Sequence, residues 1–186
     1  MSKLFAIIIV ILLVLIFIGF FITLYNKLVM LKHNIDKAWA NIDVILKQRA
    51  DEIPNLVKVV MQFVNHEQKT LTHLTELRTN FLNASSVEEK TTISNEMSKS
   101  LKSIFAITEN YPNIVSNANF LELQTRISEL EDRIADRREF FNDSVNFYNI
   151  GIQEFPNLIL AKILGYKNRT LLEISLQEKE YYGIKF

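Results

Sequence analysis

Residues 4–24 read LFAIIIVILLVLIFIGFFITL, a run without one charged side chain, diluted only by Gly19 and Thr23. As a helix rising ~1.5 Å per residue it spans ~31 Å, against a bilayer hydrocarbon core of ~30 Å. A helix satisfies its own backbone polar groups, which is what lipid demands of a spanning segment. A cleaved signal peptide would show a shorter apolar core and a small-residue exit, whereas this run leaves through Thr23, Leu24, Tyr25 and Asn26. The stretch therefore predicts a transmembrane helix over residues 4–24, with the lipid bilayer as its first partner. Lys3 precedes it, while Lys27, Lys32 and Lys37 follow with Asp36 among them. That bias favours an amino terminus outside the cell membrane and a cytoplasmic remainder.

Outward from this run, apolar residues return every three or four positions: Leu28, Leu31, Ile35, Ala38 with Trp39, Ile42, Ile45 with Leu46. The phase continues through Ile53, Leu56, Val60, Phe63, Leu71, Leu74 and Leu77, which is the signature of an amphipathic helix. Nothing at Tyr25 and Asn26 breaks it, so the membrane helix and the first amphipathic helix read as one. Pro54 interrupts the backbone bonding but not the phase, and predicts a bend in a single helix reaching about Leu82. A tight turn at Ile53 and Pro54 fits the same residues.

Asn83 to Ser86 form a turn, and Ser86 with Glu89 three residues on makes the capping-box pattern. The next helix carries Ile93, Met97, Leu101, Ile104 and Thr108 on one face and stops at Asn110, Tyr111 and Pro112. A third opens near Asn119, with Glu122 as a second capping-box acid. Its stripe is Phe120, Leu123, Ile127, Leu130, Ile134, Phe141, Val145, Tyr148, Ile152 and Phe155. Pro156 ends it. A short apolar piece over residues 158–164 follows, closed by Gly165 at a C′ position. No segment reads as a strand. The expected fold is all-α: an N-terminal transmembrane helix (4–24), an elongated up-and-down helical bundle of three long helices and a short fourth (25–165), and a tail (166–186).

The block Ala38, Trp39, Ala40, Asn41, Ile42, Asp43 through Lys47, Gln48, Arg49, Ala50, Asp51, Glu52, Ile53, Pro54, Asn55 resembles the LemA family. Glu109 to Pro112, Asn119 with Phe120, Leu123 with Gln124, Glu131, Ile134, Tyr148 with Asn149, Phe155 with Pro156, and Gly165 with Tyr166 extend the likeness along nearly the whole chain. Gln48 stands where a second basic residue is common, and the tail after Tyr166 diverges. The resemblance implies a membrane anchor and an up-and-down α-helical bundle without an established enzymatic activity.

Composition and motifs lean the same way. Twenty-one basic and 21 acidic side chains cancel, leaving no excess to bind nucleic acid. The chain has no cysteine, and four glycines supply no phosphate-cradling loop. His66 and Glu67 begin a zinc-protease-like H-E-x-x-H, but position 70 is threonine. Met30, Phe63 and Thr70 precede the three histidines by three residues, so the Glu-x-x-His pairs of di-iron bundles are missing too. No cofactor, metal or small-molecule substrate is expected, and the chain reads as a non-enzyme.

Two features point further. Arg49 falls on the apolar stripe, and Arg137 with Arg138 fall where the third helix should show its next core residue. Arginines so placed need carboxylates, which predicts a polar layer drawn from Asp43, Arg49, Asp51, Glu131 and Arg137 that fixes helix register; side chains snorkelling to solvent are the alternative. The second feature is the apolar piece itself. Leu158, Ile159, Leu160, Ile163 and Leu164 read either as a cap on the bundle or as a surface lying on the membrane. The functional expectation is a membrane-anchored adaptor for other proteins or for self-association. A membrane-organising protein using residues 158–164 is the rival, and an unrecognised enzyme the remote third.

Overall fold

The computed structural model describes residues 2–64 and 68–172. Among them there is no strand. Six helices follow in order: α1 (Ser2–Val60), α2 (Gln68–Asn83), α3 (Val87–Thr108), α4 (Pro112–Val115), α5 (Ala118–Gly151) and α6 (Asn157–Ile163). The chain divides into two compact units, one of Met1–Trp39 with Phe140–Leu171 and one built on Ala40–Glu139. The long helices α1 and α5 contribute to both.

In the first unit α1 carries the apolar run, and its most apolar 18-residue window has a mean hydropathy of 3.5 with none of it buried. It is long and apolar enough to cross a membrane. The Thr23 hydroxyl donates to the Gly19 carbonyl at 3.0 Å, so the one polar side chain of the run is satisfied within the helix. From Leu24 the same helix becomes a packed one: Leu24, Leu28, Ile35 and Ala38 are buried. Its partner is the end of α5, running antiparallel. A Cβ on Gly151 would lie 2.4 Å from Leu31 Cδ1, Lys27 reaches Glu154 at 3.2 Å, and the Trp39 and Phe141 rings meet edge to face at 6.2 Å. Glycine at 151 is what permits that close approach.

The second unit is an up-and-down bundle. Lys90 bonds Asp43 and Arg49 bonds Ser94 and Ser98, so α3 runs parallel to α1; Arg126 pairs with Glu52 and Arg49 with Glu131, so α5 runs antiparallel. Its core is Ile42, Leu46, Ile53 and Leu56 of α1, Leu71, Leu74 and Leu77 of α2, Met97, Leu101 and Ile104 of α3, and Phe120, Ile127 and Ile134 of α5.

The single helix expected to Leu82 is corrected. α1 passes through Pro54, stops at Val60 in tightened turns (Gln62 N–H to the Val59 carbonyl, Phe63 N–H to that of Val60), and α2 folds back on it. The fold-back is marked at Arg78, whose Nε donates to the Ala50 carbonyl at 2.9 Å. Pro54 has no N–H, so Ala50 has lost its intrahelical partner and Arg78 supplies another. The apolar phase ran on across the break because both arms of the hairpin face one core.

Caps explain the other boundaries. Ser86 Oγ accepts from the Glu89 N–H at 3.1 Å, while Glu89 reaches back to the N–H of Ser85. For α5 the expected start moves: Asn117 Oδ1 accepts from the Phe120 N–H at 3.1 Å, and Glu122 instead faces Arg126. Gly165, at φ 70°, closes α6 with the paired bonds of a Schellman motif, Tyr166 N–H to Ala161 O and Gly165 N–H to Lys162 O. Phe155, expected on the core stripe, is 82% exposed because α5 ends at Gly151 and the chain turns before reaching it.

Candidate functional site

The most elaborate side-chain constellation is centred on Arg49, whose side chain is fully buried between α1, α3 and α5. Its Nη1 donates to Ser98 Oγ at 2.7 Å and to Glu131 Oε1; its Nη2 donates to Ser94 Oγ at 2.8 Å and to the Ser94 carbonyl at 3.0 Å. Ser98 Oγ also donates to Glu131, with Oε2 at 3.0 Å. From the next turns of α5 Arg138, also buried, donates to the same Ser94 hydroxyl at 3.1 Å and to Asn95 Oδ1 at 2.8 Å. Burial removes water from the guanidinium groups, and this bonding replaces most of what water supplied, with Arg49 Nε left without an acceptor.

Sequence reasoning placed five residues here, and the structure brings two of them together, Arg49 and Glu131. Asp43 lies farther along α1 with Lys90 at 2.7 Å, and Asp51 faces Arg78 at 3.9 Å on a half-exposed surface. Arg137 is exposed, so its place in the layer belongs to Arg138. One residue is 100° of helix rotation, and the sequence Ile134, Arg138, Phe141, Val145 is what keeps the core phase. Ser94, Asn95 and Ser98 were missed. Their signal was present as small polar residues on the α3 stripe beside Met97 and Leu101.

The layer fastens three helices to one another. It presents no histidine, and its one carboxylate is bonded by Arg49 and Ser98. A depression of about 210 Å³ beside it, lined by Leu101, Lys102, Phe105, Ile127 and Glu131, is small for a ligand pocket. His33 and His73 are exposed, and no group of three metal-ligating side chains occurs among the described residues. The His66–Glu67 dipeptide lies outside the described residues.

The other candidate is the segment predicted to meet membrane. Leu158 and Leu160 are half-buried, whereas Ile159, Ile163 and Leu164 are exposed; Asn157 and Ala161 form the buried side of α6. Beyond Gly165 the chain returns along α5: Tyr148 Oη donates to the Lys167 carbonyl at 3.1 Å, and Asn149 and Arg169 exchange two bonds. Burial raises the Tyr148 pKa above its usual value near 10, with the nearby Arg169 opposing the shift.

Residues 38–186, from the Trp39 block through the bundle, match the model of the LemA family. The chain belongs to the LemA family. Among curated proteins it is 27% identical over 177 residues to magnetosome proteins MamQ 1 and MamQ 2 of Paramagnetospirillum magneticum, covering 81% of this chain and 65% of each relative. It is 26% identical over 169 residues to MamQ of Magnetospirillum gryphiswaldense, covering 77% of this chain and 62% of that one. This LemA-family chain thus spans just under two thirds of the length of the curated relatives it matches. The region matched by the family model includes both the Arg49 layer and α6.

Proposed function

We propose that the chain is a single-pass, membrane-anchored, non-enzymatic helical module that holds other proteins, or further copies of itself, at the cell membrane. The observation that carries this is α1, in which an unburied apolar run long enough to span a bilayer continues without a break into turns buried against α5. LemA-family membership and the likeness to MamQ support a membrane-associated role. In this reading residues 4–24 are the anchor and residues 25–165 the displayed bundle. The lysines at 27, 32 and 37 favour display on the cytoplasmic side. Protease protection of the carboxy terminus in sealed cells tests that side directly.

The surface offered to a partner is on α5, where Phe140, Phe147 and Ile150 share one exposed face; Phe147 is 64% exposed. Seven residues separate the two phenylalanines, the spacing at which a facing helix meets successive side chains. A photo-crosslinking amino acid at Phe147 in native membranes should yield discrete protein adducts, and the same probe at exposed Lys99 should not. Lipid adducts alone at both positions would sink the adaptor reading. Within the module we assign the Arg49 layer the task of fixing helix register, because both terminal nitrogens of Arg49 are matched to acceptors on particular turns of α3 and α5.

A further inference from the structure

α6 lies across the end of the α1–α5 pair. Its start is held by Asn157 Nδ2, which donates to the Gly151 carbonyl at 3.0 Å. Just past its end, Tyr166 meets the Tyr148 ring at 6.2 Å and Lys167 O accepts from the Tyr148 hydroxyl. The 7-residue helix is thus held between two attachments, at its start and a few residues past its end, to the same stretch of α5, residues 148–151.

The antiparallel register fixes its level. Leu31 faces Gly151 and Lys27 faces Glu154, so the turn at residues 152–156 and the start of α6 sit beside the α1 turns that end the apolar run. Asn157 and Ala161, one turn apart, are buried toward the pair. Ile159 and Ile163 lie about 200° around the helix from them and point away from the end of α5. They are 52% and 74% exposed, and Phe155, in the turn that precedes α6, is more exposed still. Lys162 flanks this face and is exposed, with a stem long enough to carry its ammonium to phosphate level.

We propose that Phe155, Ile159 and Ile163 form a second membrane contact, an exposed apolar edge that seats in the interfacial layer of the bilayer beside the point where α1 leaves it. The occupant is lipid. The argument for lipid over a protein partner is the covalent continuity of the adjacent helix with an unburied apolar run of spanning length. The inference rests on the anchor reading of residues 4–24. Together, the two contacts give the first unit a spanning helix and a shallow foot.

Because the chain has no cysteine, one introduced thiol labels a single site. Full-length Ile163→Cys, Lys99→Cys and Ile11→Cys proteins are labelled with a polarity-sensitive nitrobenzoxadiazole dye. Each is reconstituted into phosphatidylcholine–phosphatidylglycerol vesicles carrying spin-labelled lipid with the nitroxide at a shallow or a deep acyl position. The dye at 163 should be quenched at least about twofold more by the shallow label than the dye at 99, as for a helix seated ~5–10 Å into the interface. The dye at 11 should respond best to the deep label. Quenching at 11 with none above the level of 99 at 163 overturns the second contact and leaves the anchor intact. No quenching at 11 overturns the anchor and the contact with it. Phe155→Cys, which lies outside α6, should reproduce the 163 result; were both unquenched while circular dichroism shows an intact helical fold, local unfolding could not be the cause and the proposal fails.

Discussion

The two units are held together by different physics. In Ala40–Glu139 the centre is ionic: among the described residues both buried charged side chains, Arg49 and Arg138, lie there, sharing the Ser94 hydroxyl. In Met1–Trp39 with Phe140–Leu171 the centre is shape. Leu28 is fully buried, Leu31 occupies the space above Gly151, and the Trp39–Phe141 and Tyr148–Tyr166 rings pack against each other. Its ion pair, Lys27 with Glu154, is half-exposed on both sides. The difference teaches that a chain of zero net charge can still separate its roles. Directional bonds sit where α1, α3 and α5 meet, and close packing sits where α1 and the end of α5 lie alongside.

That contrast can be broken most severely at Arg49. Arg49→Ala leaves Glu131 and the Ser94 and Ser98 hydroxyls facing a void, and removing one member of a buried ionic network costs roughly 3–5 kcal/mol. Denaturant unfolding of the full chain in detergent should show a loss of this order, and Arg49→Lys should recover only part of it because an ammonium lacks the fork. A loss below about 1 kcal/mol would mean that shape holds this unit as well.

Gly151→Ala probes the other principle. Its methyl would fall on Leu31 Cδ1, the end of a side chain able to turn aside, so the expected cost is about 1 kcal/mol. A double-mutant cycle with Leu31→Ala should show positive coupling, since the second substitution removes the atom in the way. Independent, additive effects would argue against close approach as the fastening.

Tyr148 gives a comparable effect with a pH signature. A phenol whose folded pKa is raised contributes stability that is complete below its unfolded pKa near 10 and is lost as pH rises through the folded value. Tyr148→Phe should cost about 1 kcal/mol at pH 8 through the lost bond to Lys167, and it should remove this residue's share of the alkaline loss. Unfolding curves at pH 8 and above pH 10 measure both. The smallest effect is expected at Lys27–Glu154: Glu154→Gln should change stability by under about 0.5 kcal/mol, with the change vanishing in high salt.

Much of this was legible in the residues. The apolar run, the Ser86 cap and Gly165 are local signals whose meaning does not depend on distant partners, and each sits where it was read. The buried stripe of α5 was legible through Ile152 and failed at Phe155, because periodicity continues on paper past the point where Gly151 ends the helix. The fold-back of α2 on α1 was hidden for a related reason: a stripe records which residues are buried and says nothing about the direction in which the chain returns. Arg49 announced itself as a charge on an apolar face. Its serine partners did not, since a hydroxyl on α3 is read as filler until the guanidinium it faces, 45 residues away in sequence, is placed.

Pro54 has one more consequence, in the order of assembly. The carbonyl it leaves open at Ala50 is taken by Arg78, a closure across 28 residues, whereas Arg49 must wait for Glu131 across 82. Closing the shorter loop is favoured by about 1 kcal/mol of chain entropy. The α1–α2 hairpin can therefore be in place before α5 has been synthesised. A proline that spoils one hydrogen bond in a helix thus leaves an acceptor for the arm that returns 28 residues later.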